Sequence, residues 1–211
     1  MPGRSLAAHC RALMDCRMCG HAEPIVPIIS HAVSPRVMIV GQAPGQVEAG
    51  GGKPFAGRAG KTLFRWLERA GIDEAAARRS IYIAAITRCY PGPHPSGRGD
   101  RVPSTKEQEQ CAVWLDAELQ IIRPTLLIPI GKLAISRFLR AESLDELIGR
   151  AQEVEHVGGR SLVIPLPHPS GASSWIHTGN HPQLLDKALE LIGGELLRLG
   201  ITSHPPKRSV A

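Results

Sequence analysis

The stretch Arg36-Val37-Met38-Ile39-Val40-Gly41-Gln42-Ala43-Pro44-Gly45, continued to Leu67, decides how the rest of the chain is read. Val37 to Val40 have the length and apolar content of a buried strand. A glycine-rich segment follows over residues 41–57. An amphipathic helix then begins near Ala59, with Leu63, Phe64, Trp66, Leu67 and Ala70 spaced for one face. Glycine supplies positive φ and lets a ligand approach the backbone. A loop at the carboxyl end of a strand that feeds a helix is where open α/β sheets bind ligands. The amides at that helix start favour anions. The plain alternative is an ordinary βα connection, but about a dozen and a half residues is long for one. Phe55, held behind Pro54 in a polar, glycine-rich loop, is also odd for a disordered segment.

Residues 5–15 read as a helix that runs into Cys16-Arg17-Met18-Cys19-Gly20, and residues 21–35 as loop. Beyond the opening stretch, Gly71 ends the helix and Asp73 caps a short one through Arg79. Residues 81–86 form a second apolar strand, entering Thr87-Arg88-Cys89-Tyr90-Pro91. A Pro/Gly/Arg loop follows to residue 103. Ser104 or Thr105 then caps a helix carrying Cys111, Trp114, Leu115 and Leu119, with Glu107 or Gln108 in the capping-box position. A third strand covers 125–130. Gly131 opens a helix to about Leu139, and Ser143 starts another short one. A fourth strand, 161–166, enters Pro167-His168-Pro169-Ser170-Gly171-Ala172-Ser173, and a long helix spans roughly 182–199.

Continuous apolar strands alternating with helices imply a mostly parallel sheet covered on both faces. The expected fold is therefore α/β: a three-layer α/β/α sandwich around a four-stranded, mostly parallel sheet. Residues 1–203 are expected to form a single domain, and the basic, Pro-rich tail 204–211 to be disordered. Three glycine- or proline-bearing segments converge at the carboxyl ends of strands: the Gly45 loop, Arg88 onwards, and His168.

The formal net charge of +6 points to an acidic partner, most often nucleic acid. Aromatic residues make up 4% of the chain, too few for a many-ringed stacking platform. No apolar run reaches membrane-spanning length and the start lacks a signal-peptide core, so a soluble, cytoplasmic protein without membrane contact is expected. Five cysteines argue against a simple paired disulfide framework.

Cys16 and Cys19 form a CxxC knuckle, Cys89 follows a strand, and Cys111 lies in a helix beyond a loop. Two pairs of this kind can close a sulfur cage. The bare pattern puts structural zinc first, and an iron–sulfur cluster uses the same ligands. Cys10 fits best as a small buried apolar residue.

Taken together, these motifs resemble the uracil-DNA glycosylase superfamily, specifically its iron–sulfur branch, families four and five. Cys16-Arg17-Met18-Cys19 is similar to that branch's first cysteine pair. Gly41-Gln42-Ala43-Pro44-Gly45, Glu48 and Lys53-Pro54-Phe55-Ala56-Gly57-Arg58-Ala59-Gly60 resemble its motif one. The strand from Tyr82 to Cys89 and then Cys111 resemble the stretches bearing its third and fourth cysteines, and His168-Pro169-Ser170-Gly171-Ala172-Ser173 resembles motif two. The resemblance implies a monomeric glycosylase that hydrolyses the bond between uracil and deoxyribose in DNA. It also implies that Cys16, Cys19, Cys89 and Cys111 hold a 4Fe–4S cluster rather than zinc. Phe55 would stack on the extruded base, amides of Gly41, Gln42, Ala43 and Gly45 would bond it, and His168 would donate to uracil O2. Ser170 and Gly171 would hold phosphate, while Ala172, Ser173 and Trp175 would enter the groove. His94-Pro95-Ser96-Gly97 repeats four letters of motif two, but no apolar strand precedes it directly.

Two departures bear on chemistry. Family four has Glu where this chain has Gln42, and a neutral amide can orient water but not deprotonate it. Glu48 is then a spare candidate, or merely a loop carboxylate capping an amide. Family four also has an Asn reading uracil's edge where Ala84-Ala85 stand here, as in family five. Losing that amide removes discrimination and implies a broader range, with hypoxanthine, xanthine or alkylated cytosines beside uracil. No insertion resembling the Arg-Arg-Ile-His loop of a covalently trapping branch lies between Cys89 and Cys111. Arg58, Lys61, Arg88, Arg98 and Arg101 suit phosphate contacts or solvated surface. His177 and His181 suit backbone contacts or plain loop positions. The competing functions are a catalytically weak binder of damaged or abasic DNA, and a nucleotide hydrolase, which the missing Lys-Ser/Thr pair disfavours.

Overall fold

The structure is a computed structural model, and it describes residues 5–19, 25–97, 99–170 and 175–206. In chain order the elements are α1 (Leu6–Met14), β1 (Val37–Gly41), α2 (Gln46–Gly51), α3 (Arg58–Arg69), α4 (Glu74–Ser80), β2 (Ile81–Ala85), α5 (Thr105–Ile122), β3 (Leu126–Pro129), α6 (Gly131–Ile135), β4 (Gln152–His156), β5 (Gly159–Val163) and α7 (His181–Arg198). Short 3-10 turns at Leu144–Glu146 and Trp175–His177 interrupt the later connections.

The strands form one sheet in the order β2-β1-β3-β5-β4. β1 pairs in parallel with β2 and with β3, and β3 with β5, while β4 and β5 form an antiparallel hairpin. The sheet therefore has a fifth strand that corrects the expected four. Its pattern, Gln152-Glu153-Val154-Glu155-His156, exposes two carboxylates to which Arg160 of β5 pairs. A charged edge strand hides no apolar run, so it has no buried-strand signature and discourages edge-to-edge pairing.

Every residue of β1 and β3 is buried, as an interior parallel strand requires. The chain moves from β1 outward to β2, then crosses back past β1 to β3. Right-handed crossovers therefore put α3 and α5 on opposite faces. α1 packs with α5, and α3 with α7, which completes three layers. α3 presents Leu63, Phe64, Trp66 and Leu67 to the core.

Helix starts follow their capping residues. Asp73 accepts from the Ala76 amide. Ser104 and Glu107 form a reciprocal capping box. Arg101 grips the same carboxylate with two nitrogens and, with the Ser104 bonds, holds Glu107 down at a pKa of about 2. The opening helix at Gly131 is shorter than expected, ending at Ile135. At the other end of the chain, the Ser203 and His204 amides bond the Gly71 oxygen and Pro206 packs by Gly193. The described residues run to Pro206, three past the expected domain end, and residues 207–211 lie outside those described.

Candidate functional site

At the carboxyl edge of the sheet, Gly41 stands opposite Ala85 and Val40 opposite Pro129, and Ile130 bridges Leu166. The three segments leaving these strands line one cleft of about 1260 Å³, which includes Gly41, Gln42, Ala43, Gly45, Phe55, Ala85 and His168. That exceeds the usual volume of a small-ligand pocket, roughly 300–1,000 Å³. Ser170 also lines it, while Gly171, Ala172 and Ser173 lie outside the described residues.

The first wall is the glycine-rich segment. It is not irregular throughout, because α2 forms within it despite Gly50 and Gly51. Glu48 is the reason: its buried carboxylate accepts from the Gly45 amide through Oε2 and from the Gly57 amide through Oε1, each at 3.0 Å. It staples both ends of the segment together. The amides of Ile86 and Thr87 donate to the oxygens of Gly41 and Gln42, which extends the sheet into the loop.

Phe55 adopts φ 52°, which is uncommon for a bulky side chain. Three contacts impose it. A Cβ on Gly60 would stand 1.8 Å from the Phe55 oxygen, so only glycine lets α3 start there. A Cβ on Gly41 would stand 3.2 Å from Phe55 Cζ, so the ring lies against the bare backbone at the end of β1. Arg78 of α4 donates to the oxygens of Pro54 and Phe55 at 2.8 and 3.2 Å, lies over the Phe64 ring, and pairs with Glu74. Sequence reasoning missed Arg78. It sits in an ordinary-looking Arg-Arg pair, and its role depends on carbonyls more than twenty residues away.

The opposite wall carries His168, packed against Gly131, where a Cβ would stand 3.1 Å from its Cδ2. Its Nδ1 accepts from the Ser170 amide at 3.2 Å and lies 2.8 Å from Ser170 Oγ. An amide N–H can only donate, so Nδ1 carries the lone pair and the neutral ring bears its proton on Nε2. Burial lowers the His168 pKa, favouring that neutral form. The repeated letters at His94 produce the same local bonds, with Ser96 N–H to His94 Nδ1 at 3.1 Å. His94 is exposed and does not line the cleft, so the tripeptide sets the turn and the surroundings set its use.

Beyond residues 171–174, Trp175 Nε1 donates to Asp145 at 2.7 Å, and its ring stacks on His181 at 4.1 Å. His181 has an acceptor at each nitrogen, Asp145 Oδ2 at 2.9 Å and the Trp175 oxygen at 2.6 Å. Both ring nitrogens then donate, which is the imidazolium, and the Asp145 bond raises its pKa. Trp175 is thus clasped by Asp145 and His181. His177 is exposed.

Cys16, Cys19, Cys89 and Cys111 line a second, smaller cavity with Arg88, Glu107 and Trp114. All are unbridged, as is Cys10, whose Sγ lies by Tyr82. The Trp114 indole donates to Cys16 Sγ at 3.2 Å. Burial first, then the neighbouring thiols, raises the Cys89 pKa to about 12. No group of three or more His, Cys, Asp or Glu side chains among the described residues is arranged to hold a single metal ion. Next to the cavity, Arg88 is buried and bonds Glu118 and Tyr82, so it is a core ion pair and not a surface phosphate contact. Arg101 is held by Glu107, Arg98 lies outside the described residues, and Arg58 and Lys61 are exposed at the cleft.

No helix among the described residues is long and apolar enough to cross a membrane. In sequence, residues 29–193 match the profile of the Uracil DNA glycosylase superfamily. The chain is similar to the Type-4 uracil-DNA glycosylase of Thermotoga maritima, 33% identical over 135 residues covering 64% of this chain and 65% of that protein. It is 30% identical to the Type-4 uracil-DNA glycosylase of Archaeoglobus fulgidus over 168 residues, 76% of this chain and 79% of that one. With the Type-5 uracil-DNA glycosylase of Pyrobaculum aerophilum it shares 32% over 148 residues, 64% and 61% of the two chains.

Proposed function

Because the chain belongs to the uracil DNA glycosylase superfamily, we propose that it hydrolyses the N-glycosidic bond of uracil in DNA and leaves an abasic site. The observation that carries this reading is the cleft in which Phe55 and His168, from opposite ends of the sequence, meet Gln42 and Ala85.

The target base leaves the stack and enters the cleft, as chemistry on a duplex base requires. Phe55 stacks on its face, and amides of Gln42 and its neighbours bond a carbonyl. The neutral His168 ring donates its Nε2 proton as a hydrogen bond to O2. As the C1′–N1 bond breaks, the electron pair passes to the base, and a fixed donor in a dry site stabilises that charge best. The sugar cation takes up a water oriented by Gln42, and the water's proton leaves to solvent. Both oxygens of Glu48 hold loop amides, which argues against Glu48 as the base that activates water. The small Ala84 and Ala85 leave the base edge without a side-chain amide, which supports a range extending to hypoxanthine, xanthine or alkylated cytosines. Ser170, with residues 171–173, takes the flanking phosphate and groove contacts.

Cys16, Cys19, Cys89 and Cys111 are the residues that would hold a 4Fe–4S cluster. The four side chains line one cavity, and the indole donor on Cys16 suits a thiolate ligand of such a cluster. Held by these four residues, such a cluster would tie the N-terminal segment to the segment after β2 and to α5. The protein acts as one domain and as a monomer.

Gln42 and the occupied Glu48 favour one second reading, a damaged-DNA or abasic-site binder with little turnover. Duplexes carrying single lesions, treated with alkali after incubation with wild type, Gln42→Ala and His168→Ala, separate the two. Alkali-labile uracil sites lost in His168→Ala support the glycosylase. Binding without such sites supports the binder. A broad visible absorbance band of the iron–sulfur type tests the cluster.

A further inference from the structure

Arg58, Lys61 and Arg65 lie on one face of α3, all three are exposed, and all three line the cleft that holds Phe55 and His168. Spacings of three and four residues put them on a single stripe, opposite the buried Leu63, Phe64 and Leu67. Neither Arg58 nor Lys61 makes an ion pair among the described residues, and Arg65 bonds only neutrally to Thr62, which also lines the cleft. The loop residues that line the cleft differ: Asp100 is acidic, and Arg101 is neutralised by donating two bonds to Glu107. The remaining cleft carboxylate, Glu48, is bonded to amides on both oxygens. The cleft is thus electrostatically lopsided, with its unpaired cations on the α3 side.

We infer that this face of α3 is a phosphate track: it holds the sugar–phosphate backbone of the strand whose base enters the cleft. The inference rests on the reading that the cleft accepts a base from DNA. Arg58 to Arg65 spans seven residues, about 10 Å of helix axis. One DNA strand advances about 3.4 Å per phosphate along its axis. That length covers about three phosphate-to-phosphate steps, so the three cations reach across three to four successive phosphates. The stripe changes sign at Glu68, which does not line the cleft, and this bounds the track. Phosphate contacts carry no base information, so the track sets register and affinity while Phe55 and His168 face the base.

Counter-ion release supplies the test. The affinity of the intact protein for a labelled duplex bearing one tetrahydrofuran abasic analogue is measured over a series of sodium chloride concentrations. Each of Arg58→Gln, Lys61→Gln and Arg65→Gln is expected to make the slope of log K against log salt shallower by about 0.9. The triple variant is expected to lose roughly three times as much. Arg58→Lys and Arg65→Lys, which keep the charge, retain the wild-type slope, and so does Arg160→Gln, whose partners lie on the far edge of the sheet. A wild-type slope in the triple variant, or an equal loss in Arg160→Gln, overturns the track. Uracil excision by the wild type is scored separately. Excision with an unchanged triple-variant slope removes the track alone, whereas no excision with a reduced slope removes the activity and leaves the track standing.

Discussion

Arg78 Nη2 donates to the peptide oxygen of Phe55 at 3.2 Å while its Nη1 holds the oxygen of Pro54 at 2.8 Å, so α4 fixes the backbone that carries the Phe55 ring into the cleft wall. Hydrogen bonds from a charged donor contribute about 1.5–3 kcal/mol each where both groups are shielded. Arg78 is partly exposed, so the lower end applies. Arg78→Met is expected to cost about 2 kcal/mol of stability and to raise KM for a uracil duplex more than it lowers kcat. Urea titration and steady-state kinetics check this. Equal stability and KM would mean that Phe55 holds itself in place.

The two glycines that touch Phe55 should behave differently. At Gly60 an added Cβ meets a backbone oxygen at 1.8 Å, which cannot move without shifting the start of α3. Gly60→Ala should lose several kcal/mol, at or beyond the upper end of overpacking costs of roughly 1–3 kcal/mol. At Gly41 the Cβ meets the edge of the Phe55 ring at 3.2 Å, and a ring can give by a few tenths of an ångström. Gly41→Ala should fold with near-normal stability and bind the extruded base less well. Thermal melting with a product-binding titration distinguishes them, and equal melting losses would contradict the contrast.

Glu48 was open in sequence between water activation and amide capping, and the 3.0 Å bonds to Gly45 and Gly57 favour capping. A Gln at this position would turn an amide nitrogen toward one N–H. Glu48→Gln is therefore expected to destabilise the protein by about 1–3 kcal/mol, the cost of a buried donor left unsatisfied. It should leave a measurable excision rate on folded enzyme. Full folding with complete loss of excision, followed by chemical denaturation and a single-turnover assay, would make Glu48 the base after all.

What the sequence disclosed depended on whether the signal was local. Val37 to Val40, the capping box at Ser104 and the cap at Asp73 are set by neighbouring residues, and each forms where expected. β4 was illegible because its outward carboxylates answer to Arg160 across a hairpin. α2 was illegible because Gly50 and Gly51 are poor helix formers, and Glu48 overrides them by bonding Gly57 nine residues on. The two His-Pro-Ser segments illustrate the limit: the same letters give the same turn, and only the preceding strand and Gly131 mark which one reaches the cleft. Arg78 and the Trp175–Asp145–His181 clasp join segments that share no pattern in sequence.

The tautomer of His168 makes the pH dependence a test with a definite sign. The Ser170 amide occupies Nδ1 as donor, so a second ring proton would face an N–H and break the bond that orients the imidazole. Burial lowers the folded-state pKa below the ordinary 6.5, and the unfolded chain takes up the proton first. The stability contribution is therefore complete above pH 6.5 and is lost as pH falls through the lower, folded value. Excision should follow the same course: no loss of kcat/KM as pH rises from about 6.5 to 8, and a decline on the acid side as the ring is protonated. His168→Asn, which keeps a donor but cannot titrate, should lower the rate and abolish that acid limb. Removing the donor with His168→Ala should cost about 10²–10³ in rate, as for other donors to a developing anion. A rate that instead climbs on acidification below pH 6.5 would require the imidazolium as the catalytic form and would contradict the Ser170 geometry.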